Sequence, residues 1–199
     1  MISQKALDLI VDAEGCNLSP DWPGGASGIT YGIGYDCGHN SREQIQKDWG
    51  SYVNGNTLSF MLLCSGRTGL AAKQMINPST KILRITQQAA EEVFKQKTIP
   101  RFRKLALDTY PNLENLPEDT IGAITSLVYN RGTSFGIQGQ PSWDSRKEMR
   151  ELKPLIEQGD LKAIADKIRE MSRLWEGKNL DGLITRRNNE ADLISQSIA

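Results

Sequence analysis

The fold is decided by residues 13–35, which read AEGCNLSPDWPGGASGITYGIGY. Before this stretch, apolar residues recur at helical spacing, and Ser3 is a suitable N-cap. Gly15 provides a helix stop directly after Glu14. The rest of the stretch is rich in glycine and proline, and glycine alternates with isoleucine and tyrosine toward its end. This pattern predicts a helix over residues 3–14, then a loop, then a short β-hairpin.

Helical patterns dominate the chain after the hairpin. Segments with an apolar face or a good N-cap are 41–49, 58–64, 70–75, a helix that begins after Thr86, 121–129, 146–158, 160–174 and 181–197. Residues 133–145 are rich in Ser, Gly and Gln and are predicted to form a loop. The sequence therefore predicts an α+β fold in one domain, residues 1–199, with a β-hairpin lobe at about 15–40 and a mainly helical body at about 41–199.

Composition narrows the classes of function. The 199 residues carry 24 Lys and Arg against 24 Asp and Glu, so no basic surface for nucleic acid is expected. The apolar runs fall far short of the roughly 20 residues that a membrane-spanning helix needs. The N-terminus has no basic segment followed by an apolar one. We therefore expect synthesis in the cytoplasm without a classical signal peptide, and no membrane span.

The cysteine and histidine content gives little support to metal-dependent or thiol-dependent hydrolysis. The chain has one histidine, His39, whereas catalytic zinc sites usually use two or three. Cys16, Cys37 and Cys64 are too few and too scattered for a disulfide framework or a CxxC metal site. We expect three reduced, partly buried thiols, with a Cys16–Cys37 bridge as the alternative in an oxidising compartment. No metal or cofactor site is predicted, and carboxylates remain available for catalysis.

Carboxylates and a threonine surround the predicted hairpin. Glu14 ends the first helix, Asp21 lies in the loop before the hairpin, and Asp36 follows it. Each aspartate alone is typical of a turn, because its side chain bonds to the nearby backbone. A glycosidase needs a carboxylic acid to protonate the leaving oxygen, a carboxylate to activate water or stabilise the cation, and a polar group to hold that water. Glu14, Thr30 and Asp36 supply these three types.

Three motifs in this order resemble the phage-type lysozymes. They are AEG at 13–15 followed by GITYGIGY at 28–35, then ITSLVYNRG at 124–132, then GLITRRNNEADLI at 182–194. The resemblance spans residues 13–194. It implies a lysozyme-like α+β fold and hydrolysis of the β-1,4 bond between N-acetylmuramic acid and N-acetylglucosamine in peptidoglycan.

By position, the resemblance implies that Glu14 is the general acid and that Thr30 orients the water. Common members of the family place the aspartate before the threonine, at an offset that gives Gly24 here, with Asp21 nearby but out of step. The pesticin-like branch places it after the threonine, at the offset that gives Asp36. The resemblance is thus closest to this branch and favours Asp36 over Asp21 as the second carboxylate.

Four further residues are predicted to contact the substrate. Trp22, in the glycine-rich loop, is a candidate surface for sugar stacking, and Tyr31 lies in the hairpin. Asn130 and Arg131 end the second motif and are expected to complete the floor of the cleft. The structural alternative for Trp22 is ordinary packing against its neighbours. The alternative for Asn130 and Arg131 is that they only end a helix.

Charged residues in the third motif are interpreted as structural. Arg186, Arg187 and Glu190 lie within about one helical turn of one another. Opposite charges at this spacing pair on a helix face, so we expect an ion network that docks the last helix.

The leading hypothesis is a muramidase that lyses bacteria, as a phage endolysin or as a secreted antibacterial effector acting in the periplasm or cell wall. Its partner is the peptidoglycan glycan strand, and an effector would also need a cognate immunity protein that occludes the cleft. A chitinase-type glycosidase and a non-catalytic wall-binding module on the same scaffold remain open. Such a module would normally have lost one of Glu14, Thr30 and Asp36, and this chain keeps all three.

Overall fold

The computed structural model describes residues 2–198. Its architecture is α+β, as the sequence predicts: a small antiparallel sheet near the N-terminus is followed by helices. Backbone contacts divide the chain into two compact units. We call Glu14–Pro100 the sheet unit and the other described residues, 2–13 and 101–198, the helical unit. The assignment of residues 1–199 to a single domain stays a prediction.

Within residues 2–198 the sheet has three antiparallel strands. In spatial order they are β1 (Asn17–Asp21), β2 (Thr30–Gly32) and β3 (Tyr35–Asp36). The predicted hairpin is β2–β3, whose turn contains Gly32 and Gly34 in the left-handed region that favours glycine. β1 occupies part of the predicted loop. Its Pro20 is tolerated because β1 is an edge strand of the sheet.

The helices follow the predicted order. Along the chain they are α1 (Gln4–Glu14), α2 (Arg42–Trp49), α3 (Gly55–Cys64), α4 (Gly69–Lys73), α5 (Pro78–Lys81), α6 (Gln87–Val93), α7 (Ile99–Thr109), α8 (Glu118–Arg131), α9 (Pro141–Ser145), α10 (Lys147–Gln158), α11 (Leu161–Glu170) and α12 (Asp181–Gln196). Short 3₁₀ turns are at Cys37–His39, Leu113–Asn115 and Met171–Leu174, and a π-helical stretch is at Phe94–Thr98. Among the described residues, no helix combines the length and apolar character that a membrane span requires.

Three of the predicted helices begin at polar side chains that cap them. The side chains of Ser41, Asn54 and Thr86 accept hydrogen bonds from backbone N–H groups at the starts of α2, α3 and α6. α9 corrects the prediction of a loop over 133–145. It has five residues and begins with Pro141, so it is too short to show a helical period.

Side chains from the sheet and its neighbouring helices form the core of the sheet unit. Its buried members are Ile29, Tyr31, Tyr35, Cys37, Ile45, Trp49, Phe60, Met61, Cys64, Ala72, Ile85, Ala89, Ala90 and Val93. The rings of Tyr35 and Trp49 pack edge to face, with centroids 5.4 Å apart, and the Tyr35 hydroxyl donates to Asp48 Oδ2 at 2.8 Å. This packing fixes β3, which ends at Asp36.

α8 is the central helix of the helical unit, since residues 120–128 are all buried. α12 packs against both α8 and α11. At Gly122, an added Cβ would lie 2.1 Å from the Cβ of Ala6, so the missing side chain lets α1 approach α8 closely. Ala6 and Ile10 are the buried residues of α1, and the close approach at Ala6 holds the helix against α8.

The predicted ion network of α12 is confirmed, but it lies in the core. Glu190 is fully buried, and its Oε1 accepts hydrogen bonds from Ser126 Oγ at 2.5 Å and from Arg187 Nη2 at 2.7 Å. Arg186 Nε lies 3.4 Å from the same oxygen. Because Ser126 belongs to α8, the network joins α12 to the central helix.

Candidate functional site

Glu14 is the last residue of α1 and is half-buried. The helix starts where Ser3 Oγ accepts a hydrogen bond from the N–H of Ala6 at 3.2 Å. It stops at Gly15, whose φ of 66° favours glycine. β1 begins at Asn17, so the candidate acid lies a short link away from the sheet.

Thr30 lies between the two candidate aspartates in the sheet. In β2 it pairs with Asp36 of β3 on one side and with Asp21 of β1 on the other. Paired residues of antiparallel strands have Cβ atoms about 4.5–5.5 Å apart and share one face. Thr30 itself is 6% exposed. The register therefore brings three of the predicted groups together.

The Asp36 carboxylate is held by the backbone. Its Oδ2 accepts a hydrogen bond from the N–H of Gly28 at 2.9 Å, and its Oδ1 accepts from Gly38 at 2.8 Å and from His39 at 3.3 Å. The side chain caps the 3₁₀ turn at Cys37–His39 and is 20% exposed. These bonds give the carboxylate a fixed orientation before any ligand binds.

Asp21 has a more open environment. Its side chain is 45% exposed, and its Oδ1 lies 3.7 Å from Lys81 Nζ. Both members of this ion pair are well exposed, so the pair constrains the carboxylate little. The two aspartates beside Thr30 thus differ: one is held in place by the backbone, and the other faces water.

His39 is a site neighbour that the sequence did not predict. Its Nε2 lies 3.2 Å from the carbonyl oxygen of Ala26 and 3.8 Å from Asp36 Oδ2. The ring therefore joins the glycine-rich loop to the candidate carboxylate. The spacing of three residues from Asp36 is the signal that could have indicated this contact, since residues i and i+3 lie above one another in a 3₁₀ turn.

Trp22 and Tyr31 have different surroundings. Trp22 is half-buried, its Nε1 donates to the Ser27 carbonyl oxygen at 3.0 Å, and Lys73 Nζ lies 5.3 Å from the ring centroid. Tyr31 is fully buried, and its hydroxyl donates to the Leu83 carbonyl oxygen at 2.9 Å. The structure therefore assigns Tyr31 to the core, whereas the sequence predicted a substrate contact.

Asn130 and Arg131 belong to the helical unit. They end α8, and Gly132 with a φ of 70° is the C-cap. Asn130 is exposed. The guanidinium of Arg131 lies 5.1 Å from the ring centroid of Trp175, and its Nη2 donates to the Ser145 carbonyl oxygen. Arg131 is thus a half-buried, stacked side chain.

The cysteines are free thiols in this structure. Cys16 is half-buried, and Cys37 and Cys64 are buried. The expected set of three reduced thiols is present, and no Cys16–Cys37 bridge is formed. Across residues 2–198, no group of three or more His, Cys, Asp or Glu side chains is arranged to hold a metal ion.

Comparisons with known proteins agree with the sequence motifs. The family model described as phage lysozyme matches residues 54–190, which is more than half of the chain. The matched part begins after the sheet, so it does not include Glu14, Thr30 or Asp36.

A solved structure shares the fold. The crystal structure of the active form of the P1 phage endolysin Lyz superposes with a TM-score of 0.57 at 20% sequence identity, covering 100% of this chain and 86% of that chain. This similarity shows a lysozyme-like fold. A search of curated proteins found no match.

Proposed function

The chain belongs to the phage lysozyme family, and we propose that it cleaves the β-1,4 bond between N-acetylmuramic acid and N-acetylglucosamine. Peptidoglycan hydrolysis of the lysozyme type follows from the family. The bond and the catalytic residues are our proposal. The observation that carries it is the sheet register in which Thr30 lies between Asp21 and Asp36, in a sheet that directly follows the helix ending at Glu14.

The proposed mechanism needs one proton donor and one carboxylate. Glu14 donates a proton to the glycosidic oxygen as the bond to the leaving sugar breaks. The Thr30 hydroxyl holds the attacking water. Asp36 activates this water or stabilises the positive charge that develops on the sugar. The pairing of Thr30 with Asp36 supports these roles, because a hydroxyl and a carboxylate on paired residues can bind the same water.

Asp36 is the proposed second catalytic carboxylate. Asp21, which also pairs with Thr30, serves as the control residue. The pesticin-like spacing favours Asp36, and its backbone hydrogen bonds keep the carboxylate oriented. The anomer of the first product distinguishes two forms of the mechanism. Inversion fits carboxyl groups about 6.5–9.5 Å apart, and retention fits about 5–5.5 Å.

Two groups of residues are proposed to contact the glycan. Trp22 offers a half-buried ring on the loop whose end, Gly28, is bonded to Asp36, and such a ring suits stacking on a sugar. Asn130 offers an exposed amide, and Arg131 offers a guanidinium, at the end of α8. Tyr31 is not proposed to contact the glycan, because its ring lies inside the core.

Digestion of purified peptidoglycan tests the proposal. The wild type, Glu14→Gln, Asp36→Asn and Asp21→Asn are compared, and mass spectrometry identifies the reducing ends. We expect muramic acid reducing ends from the wild type and Asp21→Asn, a rate lower by about 10²–10⁴ for Glu14→Gln, and loss of activity for Asp36→Asn. Since Asp36 also caps a turn, the unfolding midpoint of each variant is measured, and activity is compared only between folded proteins.

Other outcomes would select the rival functions. A Glu14→Gln variant that still clears cell walls contradicts the assignment of the general acid. Cleavage of chitin oligomers but not of peptidoglycan indicates a chitinase-type enzyme. Binding to walls without fragments from the wild type indicates a non-catalytic module.

We propose that the biological role is lysis of bacteria from the wall side, as an endolysin or as a secreted effector. Expression in a Gram-negative host with and without an added export signal tests this. Lysis that needs both export and Glu14 supports a target in the periplasm. Protection by a co-expressed immunity protein from the source genome distinguishes an effector from an endolysin.

A further inference from the structure

Three consecutive residues end the glycine-rich loop (residues 22–28), and each of them contacts a different side chain. The three contacts are Ala26 O with His39 Nε2 at 3.2 Å, Ser27 O with Trp22 Nε1 at 3.0 Å, and Gly28 N with Asp36 Oδ2 at 2.9 Å. Two of these side chains have proposed roles, Asp36 as the second carboxylate and Trp22 as a surface for the sugar. His39 is the third, and its ring is placed to act through the loop that the other two share.

The backbone of His39 places its ring beside the loop. His39 ends the 3₁₀ turn at Cys37–His39, and its N–H donates to Asp36 Oδ1 at 3.3 Å. Its Nε2 lies 3.2 Å from the Ala26 carbonyl oxygen and 3.8 Å from Asp36 Oδ2. Because the carbonyl oxygen is an acceptor, Nε2 must carry the proton, as it does in the imidazolium and in one neutral tautomer. The ring can therefore donate to Ala26 in either charge state.

The composition of the loop gives it little rigidity of its own. Three of its seven residues are glycines, which lose more conformational freedom on ordering than other residues do. From the side of α4, the N–H of Gly69 donates to the Ser27 carbonyl oxygen at 2.9 Å. Ala26 is exposed, whereas Gly28, which Asp36 binds, is buried. The bond from His39 therefore holds the loop in its exposed part, where packing contributes little.

We propose that His39 is a positioning residue for the glycan. Its Nε2–H holds the Ala26 carbonyl oxygen and so keeps the loop in the conformation that presents the Trp22 ring. The inference rests on the proposed function, because it takes Trp22 as a contact with the sugar. A loop that is ordered in advance loses less entropy when the glycan binds. The contribution of His39 is therefore expected in KM rather than in kcat.

Steady-state kinetics on soluble peptidoglycan fragments tests this role with His39→Asn and His39→Gln. The amide nitrogen of glutamine reaches a position close to that of Nε2, whereas the shorter asparagine places its amide near Nδ1. We expect His39→Asn to raise KM by roughly 2–10-fold, the range that one hydrogen bond gives, with kcat within about twofold of wild type. His39→Gln should restore most of the lost affinity. Since the His39 side chain is 60% exposed, both variants should fold.

Amide hydrogen exchange of the full chain, followed by NMR, tests the loop without any substrate. The N–H groups of Ser27 and Gly28 should exchange roughly 2–10-fold faster in His39→Asn than in the wild type, and at the wild-type rate in His39→Gln. Ser65→Ala is the matched control. Ser65 Oγ donates to the carbonyl oxygen of Asn40, the residue that follows the same 3₁₀ turn, at 2.8 Å. Its loss should leave both KM and the exchange of the loop unchanged.

The outcomes separate this role from its rivals. The proposal is overturned if His39→Asn exchanges and binds like the wild type, if the loop exchanges faster without a rise in KM, or if His39→Gln is as defective as His39→Asn. Equal effects from Ser65→Ala would also overturn it, because they would assign the change to the turn. A lower kcat at unchanged KM would mean that His39 acts on Asp36 instead. If the proposed function fails, the wild type shows no turnover, yet the difference in exchange between His39→Asn and His39→Gln remains.

Discussion

The backbone N–H of Gly28 donates to Oδ2 of Asp36 at 2.9 Å, which joins the end of the glycine-rich loop to the last strand of the sheet. The contact is close, since a Cβ on Gly28 would lie 2.3 Å from Asp36 Oδ1 and 2.5 Å from the backbone nitrogen of Gly38. Glycine is therefore required at position 28, because any side chain there would overlap with Asp36 and Gly38. The loop that carries Trp22 is held against the strand that carries the proposed second carboxylate.

Gly28→Ala should separate these two elements. We expect a loss of about 1–3 kcal/mol in the free energy of unfolding, because the new methyl group forces Asp36 or the 3₁₀ turn to move. Activity on peptidoglycan should fall with it. Gly55→Ala is the control: it lies at the start of α3, and an added Cβ there meets nothing within 4 Å. Urea unfolding and turnover are measured, and a Gly28→Ala variant as stable and active as wild type would contradict this account.

The strands on either side of this contact differ in how well the sequence predicts them. The alternation of glycine with apolar residues predicts β2 and β3, and short-range pairing across their turn then follows, so Thr30 and Asp36 could be placed together. Asp21 could not be placed in the sheet, because Pro20 beside it is typical of a loop. Only pairing with β2 makes this segment a strand.

Burial of the site residues was harder to predict than their position. A hairpin has two faces, and the face that packs depends on helices distant in the chain. The sequence therefore predicts a substrate contact for Tyr31, whereas in the structure its hydroxyl donates to the Leu83 carbonyl oxygen in the core. The network around Glu190 was predicted from spacing alone, as an ordinary pairing on a helix face. Its position in the core depends on α8, which contributes Ser126.

Tyr31→Phe tests the reassignment of Tyr31 to the core. Removal of the hydroxyl should cost roughly 0.5–1.5 kcal/mol, because the Leu83 carbonyl loses its donor, and KM should stay unchanged. Tyr52→Phe is the control, since Tyr52 is half-buried and its hydroxyl makes a longer bond, 3.3 Å, to Gln96 Oε1. Denaturant unfolding and KM on peptidoglycan are compared. A several-fold rise in KM without loss of stability would restore Tyr31 as a substrate contact.

Thiol reactivity should follow burial. Burial raises the pKa of Cys37 well above its ordinary value, with smaller contributions from Cys64 and Asp36, and it raises the pKa of Cys64 to about 12. Burial, then Glu91, also raises the pKa of Cys16, which is more exposed. A raised pKa leaves less thiolate at pH 8, and the thiolate is the reactive form.

We therefore expect slow labelling by a thiol reagent at pH 8 in the native protein, with Cys16 labelled first. All three cysteines should react at once in urea. Peptide mapping by mass spectrometry identifies the labelled positions. Rapid labelling of Cys37 or Cys64 before unfolding would show that the core of the sheet unit opens more readily than its packing indicates.

The buried carboxylate of Glu190 should contribute strongly to the docking of α12. Glu190→Gln removes the negative charge that pairs with Arg186 and Arg187 and that accepts a hydrogen bond from Ser126. Breaking a buried ion pair of this kind costs about 3–5 kcal/mol in the free energy of unfolding. Asp192→Asn is the control on the same helix, because Asp192 is exposed and its pair with Arg169 should contribute less than about 1 kcal/mol. Unfolding in urea is followed by circular dichroism. Similar losses from the two variants would mean that apolar packing against α8, rather than the network, holds the last helix in place.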